Sequence, residues 1–225
     1  MPRLVLFDID GTLIRTGGAG MAAFDRVFTS TFQKPGAARS IKFSGRTDTS
    51  IVRDFFVQQG IEPSPASFER FFEPYPFWLD QVLRESAGCV LPGVLELIAG
   101  LRALPEPPAI GLLTGNVRLG AEIKLRHYGL WQHFELGAFG DDHEDRNQLA
   151  VIARERGSRH LGRVLGGGEI VVVGDTPHDI RCARAINAPC LAVATGGATW
   201  EELAGHKPAW LVEDLGKVTA ADLRV

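Results

Sequence analysis

The residues that first suggest chemistry are two aspartates near the start of the chain, Asp8 and Asp10, which are followed by Gly11 and Thr12. They come directly after an apolar run over residues 4–7, a pattern typical of a strand buried on both faces of a parallel sheet. Side chains two positions apart in an extended segment leave on the same side, so the two carboxylates would either repel each other or share a cation. A strand followed by an ordinary Asp-Gly turn is the alternative interpretation.

Two further apolar runs, over residues 109–113 and 170–174, also end in polar residues. In an open α/β sheet the carboxyl ends of the strands lie along one ligand-binding edge, so the three polar groups are expected to meet. An acidic cluster of this kind needs a cation, and oxygen ligands favour Mg²⁺, which often bridges to a phosphate. The additional residues of this cluster are Thr114, Gly115, Asn116, Asp175 and Asp179.

The elements that must position these groups alternate between strands and helices from residue 91 onwards. That alternation predicts an α/β fold, a doubly wound parallel sheet with right-handed crossovers. Residues 17–85 differ, because they are rich in phenylalanine, show helical periodicity and contain no clear strand. We therefore predict an α/β core domain formed by residues 1–16 and 86–225, with an all-helical domain, residues 17–85, inserted after the first strand.

Three finer predictions concern helices and loops. The apolar pattern predicts one long helix from about residue 67 to residue 85, interrupted or kinked by Pro74 and Pro76. Residues 158–168, which include three consecutive glycines, are expected to form a flexible surface loop. A final helix is expected after the strand that ends at Val212.

Composition excludes several classes of function. The chain has 225 residues, of which 45% are hydrophobic and 23% charged, as is usual for a soluble globular protein. A net charge of −3 gives no electrostatic footprint for nucleic acid or for an anionic membrane, and no apolar stretch approaches the roughly 20 residues of a spanning helix. The apolar start is broken by Asp8, unlike a signal peptide, and the three cysteines lack paired or metal-type spacing. We expect a cytoplasmic protein, either a monomer or a homodimer, without nucleic-acid or membrane partners.

Taken together and in this order, these motifs resemble those of the haloacid dehalogenase-like hydrolase superfamily, and specifically its phosphatases with a helical cap after the first strand. The resemblance extends over essentially the whole chain, including the inserted helical domain, which corresponds to the cap. It implies an Mg²⁺-dependent phosphatase that acts on a small phosphorylated metabolite. The glycine-rich segments at residues 17–20 and 87–88 would then be two hinges by which the cap opens and closes.

The resemblance also implies roles for the aspartates. Asp8 would be the nucleophile that forms an aspartyl-phosphate, which divides one difficult displacement into two easier ones. Asp10 would protonate the leaving group and then deprotonate the attacking water. The Asp8 carboxylate, the Asp10 main-chain carbonyl and Asp175 would hold the Mg²⁺, and Asp179 would order the water molecules around it.

The remaining roles implied by the resemblance concern the phosphate. Thr114 would bind the transferring oxygens together with Asn116 and with backbone N–H groups near Gly11 and Gly115. Gly11 suits this role because a Cβ would keep the backbone from close approach.

One position departs from the family pattern, because residues 140–147 contain no lysine where the family usually has one. Arg146 is the natural substitute, since it is always charged and can bind phosphate in a bidentate manner. The alternative is a solvated Arg146 paired with Asp142 or Glu144. Lys124 is a weaker candidate, because its neighbours suggest an exposed helix face.

The substrate is the least constrained prediction. The segment from Gly45 to Asp48 resembles one that phosphoglycolate phosphatases carry near the active site, and Arg46 would then contact a carboxylate or phosphate of the substrate. A plain helix N-terminus explains the same residues. A β-phosphoglucomutase-like mutase and a non-catalytic phospholigand-binding domain remain alternatives. A phosphonate hydrolase would need a cap lysine, for which the cap offers Lys34 and Lys42, and a dehalogenase would not need Asp10 or the magnesium cluster.

Overall fold

The computed structural model of the protein describes residues 1–223, with the side chains of residues 39 and 40 left undescribed. The described strands are β1 (Leu4–Phe7), β2 (Ile14–Arg15), β3 (Cys89–Val90), β4 (Ala109–Leu113), β5 (Leu136–Ala138), β6 (Ile170–Gly174), β7 (Cys190–Val193) and β8 (Trp210–Val212). The described α-helices are α1 (Ala19–Phe32), α2 (Asp48–Gln58), α3 (Pro65–Phe72), α4 (Tyr75–Glu85), α5 (Val94–Arg102), α6 (Arg118–His127), α7 (Arg146–His160), α8 (Pro177–Ala185) and α9 (Trp200–Gly205).

A six-stranded parallel sheet in the order β5-β4-β1-β6-β7-β8 forms the core. The four residues of β1 are completely buried, with Val5 and Phe7 on the face covered by α5 and α6, and Leu4 and Leu6 on the face covered by α7 and α8. Burying each such side chain stabilises the fold by about 1.5–3 kcal/mol. Helices on both faces explain why β1 is a continuous apolar run, and they confirm the predicted doubly wound sheet.

Helices α1 to α4 enclose a hydrophobic core of their own, which is mainly aromatic. The rings of Phe28 and Phe55 stack with their centroids 3.8 Å apart, and Phe24 lies 5.0 Å from Phe71. Val117, which directly precedes α6, packs into the same cluster and joins it to the sheet side of the molecule. We call the region of α1 to α4 the cap.

The two chain connections between the sheet and the cap run side by side, which the sequence did not predict. Strands β2 and β3 pair antiparallel, with Ile14 opposite Val90 and Arg15 opposite Cys89. A Cβ on Gly88 would collide with the carbonyl oxygen of Arg15, so glycine allows this close approach. The cap is therefore joined to the core through one paired ribbon.

The finer predictions had different outcomes. The helix expected over residues 67–85 is interrupted at the prolines, as predicted: α3 ends at Phe72 and α4 begins at Tyr75, with Pro76 in the first turn where proline is tolerated. The loop expected over residues 158–168 begins later, since α7 continues to His160. The expected final helix was wrong for the described residues: a short 3₁₀ turn at Leu215–Lys217 follows β8, and residues 224–225 lie outside the described part.

None of the helices in residues 1–223 is both long and apolar enough to cross a membrane.

Candidate active site

The carboxyl ends of β1, β4 and β6 open into a cavity of about 610 Å³ between the sheet and the cap. The sheet side contributes Asp8, Asp10, Asn116 and Asp175, which follow directly on these strands. The cap side contributes apolar walls from α1 together with the segment that precedes α2. The strand order thus brings the polar strand ends together, as expected for the ligand-binding edge of such a sheet.

Three buried carboxylates form the most acidic part of this site. Asp8, Asp175 and Asp179 each offer an oxygen, and these oxygens lie within 4.8 Å of one another. Burial raises the pKa of Asp8 to about 7, an effect that Arg146 opposes and the nearby aspartates reinforce. Burial, together with Asp179 and Asp8, also raises the pKa of Asp175 well above its usual value. Such a cluster favours a bound cation, because a cation would offset both the burial and the mutual repulsion.

Arg146, the first residue of α7, lies among these carboxylates. It donates a hydrogen bond to Asp179, and its Nη2 is 3.5 Å from Oδ1 of Asp8. Burial works against its charge, but the carboxylates of Asp179 and Asp8 raise the pKa of Arg146 above its usual value. The alternative pairing is not what the structure has, since Asp142 pairs with Arg156 and Glu144 with Arg53.

The four predicted metal ligands are not equivalent in this arrangement. Both carboxylate oxygens of Asp179 are already bonded, Oδ1 to Arg146 and Oδ2 to the N–H and hydroxyl of Thr176. Asp175 accepts one bond, from Thr12 at 3.1 Å, through Oδ1 alone. Buried anionic oxygens of this kind fit a hard divalent cation such as Mg²⁺, with Asp8 and Asp175 best placed as direct ligands.

Gly11 shapes the site through its conformation. Its φ is +85°, in the left-handed region, and a Cβ there would collide with the Asp175 carboxylate. Its own N–H donates to the Ile14 carbonyl at 2.9 Å, so a phosphate oxygen would have to bind other N–H groups near Gly11. Gly11 therefore contributes space for Asp175 and the turn that follows β1.

A hydrogen-bond network connects Thr114 to Asp10. Asn116 donates through Nδ2 to Thr114 Oγ1 at 2.9 Å and to Asp10 Oδ2 at 2.8 Å. Lys124 donates through Nζ to the same Asp10 oxygen and to Asn116 Oδ1, both at 2.6 Å. Asp10, Asn116 and Lys124 line the cavity, whereas Thr114 is fully buried and is not among the lining residues.

The expectation that Lys124 lies on an exposed helix face was wrong, because Lys124 is only 4% exposed. Ala121 and Leu125, three residues before it and one after it, belong to the same inner face of α6, whereas Arg126 and His127 are exposed. The apolar spacing of Ala121 and Leu125 was the signal that would have placed Lys124 inward.

The start of α2 is bonded to two loops of the core and closes this side of the cavity. The N–H of Asp48 donates to the Gly115 carbonyl at 2.7 Å, and Thr49 Oγ1 donates to the Gly140 carbonyl at 2.6 Å. Arg46 lines the cavity, but its guanidinium donates to Asp54 at 2.6 Å and to the Ser50 carbonyl at 2.9 Å. In this arrangement Arg46 is held along α2 by contacts within the cap.

Sequence reasoning missed two buried polar residues of the cap, Asp48 and Tyr75. The Asp48 carboxylate accepts a bond from the N–H of Val117 at 2.9 Å, across the boundary between cap and core. The buried hydroxyl of Tyr75 has no hydrogen-bond partner among the described residues, and Tyr75 also lines the cavity. The motif Thr47-Asp48 indicated a helix start, which Thr47 caps, but it carried no signal for a contact 69 residues away.

Replacing Asp48 with asparagine is expected to stabilise the protein at alkaline pH. Burial raises the Asp48 pKa from 3.8 to about 7, although Lys124 and the Val117 bond oppose the shift. The unfolded chain therefore ionises first, and wild-type stability is lost as the pH rises from about 4 to 7. Asp48→Asn keeps an acceptor for Val117 and removes this loss, so it should gain about 2–4 kcal/mol at pH 8 and little at pH 4.

Thermal unfolding in EDTA at pH 4, 6 and 8 measures this effect, with an expected rise in Tm of about 5–10 °C at pH 8. The matched control is Asp80→Asn, an exposed carboxylate on α4 that pairs with Arg84. Equal changes in Tm at all three pH values would contradict the assignment of the effect to Asp48 ionisation.

Comparison with known proteins agrees with this geometry. A family model described as haloacid dehalogenase-like hydrolase matches residues 5–184. The chain is 28% identical to the probable phosphatase IndB of Dickeya dadantii (strain 3937), over 98% of this chain and 94% of that protein. It is 23% identical to a phosphoglycolate phosphatase of Pseudomonas fluorescens (strain Pf0-1), over 97% of this chain and 79% of that protein.

Among solved structures, a variant of CbbY from Rhodobacter sphaeroides in complex with xylulose-(1,5)bisphosphate has a TM-score of 0.75 and 19% identity, covering 100% of both chains. At this level of identity the likeness concerns the fold. The family model, by contrast, spans most of the chain, including the aspartate motifs at the ends of β1 and β6. The chain therefore belongs to the haloacid dehalogenase-like hydrolase family, as its motifs predicted.

Proposed function

We propose that the protein is an Mg²⁺-dependent phosphatase that hydrolyses a small phosphomonoester through an aspartyl-phosphate on Asp8. The observation that carries this proposal is the buried cluster of Asp8, Asp175 and Asp179 around Arg146, at the mouth of the central strand. Such a cluster can hold a cation beside a carboxylate, and a cation together with Arg146 would let a negatively charged phosphate approach a negatively charged nucleophile. The relatives named phosphatases support the same class of reaction.

The reaction has two steps in this proposal. The Asp8 carboxylate attacks phosphorus while the bond between phosphorus and the ester oxygen breaks, and Asp10 gives its proton to that oxygen. In the second step a water molecule attacks the phosphorus of the aspartyl-phosphate, the bond between phosphorus and the Asp8 oxygen breaks, and Asp10 takes a proton from the water. Inorganic phosphate leaves, and both carboxyl groups return to their starting states.

The surrounding residues balance charge and orient the phosphate. Mg²⁺, when bound by Asp8, Asp175 and the Asp10 carbonyl, would neutralise the repulsion between the nucleophile and the phosphate. Arg146 supplies a fixed positive charge beside Asp8, in place of the usual lysine of the family, and Asp179 holds Arg146 in position. The hydroxyl of Thr114 and the N–H of Gly115 are the donors proposed for the transferring oxygens.

We propose phosphoglycolate as the first substrate to examine, since several relatives are named phosphoglycolate phosphatases. The cavity between cap and core suits a small phosphorylated metabolite. Arg46 and Asn116 line it and are the additional contacts in this proposal, which requires each to give up a bond of the present arrangement, Arg46 to Asp54 and Asn116 to Asp10 or Thr114. A phosphonate hydrolase is not favoured, because Lys34 and Lys42 are exposed and do not line the cavity. A phosphosugar mutase uses the same aspartate chemistry and serves as the comparison.

We also propose a cytoplasmic location and a monomeric or homodimeric state. Cys89, Cys182 and Cys190 are all free thiols, and the last two are buried, as is usual in a reducing compartment.

The test is hydrolysis of p-nitrophenyl phosphate with Mg²⁺, with EDTA, and with Mg²⁺ restored after EDTA. We expect turnover with Mg²⁺, at least a 100-fold loss in EDTA, and recovery on restoring the metal. Phosphate release from phosphoglycolate and from β-glucose 1-phosphate is then compared, with isomerisation of the sugar phosphate measured separately. Absence of turnover in every condition would contradict the phosphatase proposal, and isomerisation without phosphate release would favour the mutase.

A further inference from the structure

We infer that Lys124 is a positioning residue, which together with Asn116 orients the Asp10 carboxylate so that Oδ1 faces the substrate. The inference rests on the proposed phosphatase function, because it concerns the group that would transfer a proton to the leaving oxygen. Lys124 lies on α6, outside the aspartate and threonine motifs of the site.

Two donors converge on a single oxygen of Asp10. Lys124 Nζ lies 2.6 Å from Oδ2, and Asn116 Nδ2 lies 2.8 Å from the same atom. No hydrogen-bond donor among the described residues reaches Oδ1. Two bonds to one oxygen fix the plane of a carboxylate, so the other oxygen keeps a defined direction towards the cavity that Asp10 lines.

Burial holds Lys124 firmly on Oδ2 of Asp10, which leaves Oδ1 to carry the proton that Asp10 transfers. The Lys124 side chain is 5% exposed, whereas the side chain of Asp10, which lines the cavity, is 41% exposed. By contrast, the pair of Arg126 with Glu122 on the same helix has an Arg126 side chain that is 64% exposed. An exposed ion pair moves between several geometries and contributes little to stability. A buried lysine that lost its partners would cost much free energy, so Lys124 stays bonded to Asp10 and Asn116.

The network also connects Asp10 to Thr114, the residue on the other side of the phosphate that is being transferred. Lys124 bonds to Asn116 Oδ1 at 2.6 Å, and Asn116 bonds to Thr114 Oγ1 at 2.9 Å. Thr114 is the residue proposed to bind the transferring oxygens, while Asp10 faces the leaving oxygen. Lys124 therefore fixes the direction of the Asp10 carboxyl group relative to the phosphate. Proton transfer depends steeply on the distance and angle between that group and the leaving oxygen.

The test compares Lys124→Met with the wild type on two esters in Mg²⁺. The value of kcat/KM includes only the steps up to departure of the alcohol, so it isolates proton transfer to the leaving group. p-Nitrophenolate leaves with little need of a proton, whereas an alkoxide needs one. We expect a loss of about 100-fold in kcat/KM for the alkyl phosphate that the wild type hydrolyses fastest, carried by kcat, and a loss at least tenfold smaller for p-nitrophenyl phosphate.

The matched control is Arg126→Met, which removes a charge from the same helix and should leave both kcat/KM values unchanged. Thermal unfolding of both variants monitors folding. Equal losses of Lys124→Met on the two esters would overturn the inference in favour of a structural role. A raised KM at unchanged kcat on the alkyl ester would overturn it in favour of direct substrate binding. Failure of the wild type itself to hydrolyse either ester would instead overturn the proposed function, and the inference with it.

Discussion

Replacing Asp8 with asparagine is expected to lower phosphatase turnover by about 10³-fold or more, which is the largest effect of any single change considered for this site. Asparagine has the same shape but an amide in place of the attacking carboxylate, so the aspartyl-phosphate cannot form. The measurement is hydrolysis of p-nitrophenyl phosphate with saturating Mg²⁺. The control Asp80→Asn removes an exposed carboxylate on α4 and should retain wild-type turnover.

The same variant should remain folded, which separates loss of chemistry from loss of structure. Burial raises the Asp8 pKa to about 7, so ionised Asp8 destabilises the folded state as the pH rises through that value. Asparagine removes that penalty, and Asp179 remains as a partner for Arg146. In EDTA at pH 8 the Tm of Asp8→Asn should equal or exceed that of the wild type. Residual turnover above one-tenth of the wild-type value, in a folded variant, would contradict a nucleophilic Asp8.

The parts of the fold that the sequence predicted well are those determined by neighbouring residues. The apolar run at Leu4–Phe7 is buried on both faces, and the polar residues directly after it reach the edge of the sheet, because strand direction fixes where they lie. The same local logic placed β4 without error at Ala109–Leu113. Arg146 was predicted through the family resemblance, as the substitute for the usual lysine, and the structure places it beside Asp8.

The parts that the sequence did not predict depend on contacts between distant segments. Lys124 reaches Asp10 across 114 residues, so the helical period of α6 indicates its inward direction but not its partner. Asp48 reaches Val117 across 69 residues, so its neighbours in the chain suggested only a helix start. The pairing of β2 with β3 depends in the same way on the tertiary fold, because the chain leaves the core for the cap at β2 and must return beside it at β3. Charge and helical period indicate which way a side chain points, whereas its bonding partner depends on the tertiary fold.

Arg146→Met is the second variant for which we expect a large effect, because it removes the one positive charge that contacts both Asp8 and Asp179 among the described residues. Breaking a buried ion pair by removing one partner typically costs about 3–5 kcal/mol, since the remaining charge stays buried. In EDTA the Tm should therefore fall by about 10 °C. Mg²⁺ should restore part of this loss, because a cation bound by the carboxylates offsets their repulsion.

Activity and stability should respond differently when lysine replaces Arg146. Lysine keeps the positive charge but cannot hold Asp179 and Asp8 through a planar guanidinium, so Arg146→Lys should retain turnover within about tenfold while Arg146→Met loses about 10²-fold or more. Thermal unfolding with and without Mg²⁺, together with p-nitrophenyl phosphate hydrolysis, measures both effects. Arg84→Met, which removes an exposed arginine paired with Asp80, is the control. If Arg146→Met were as stable and as active as the wild type, the charge of Arg146 would serve neither the fold nor the reaction, and the usual lysine of the family would have no functional substitute at this position.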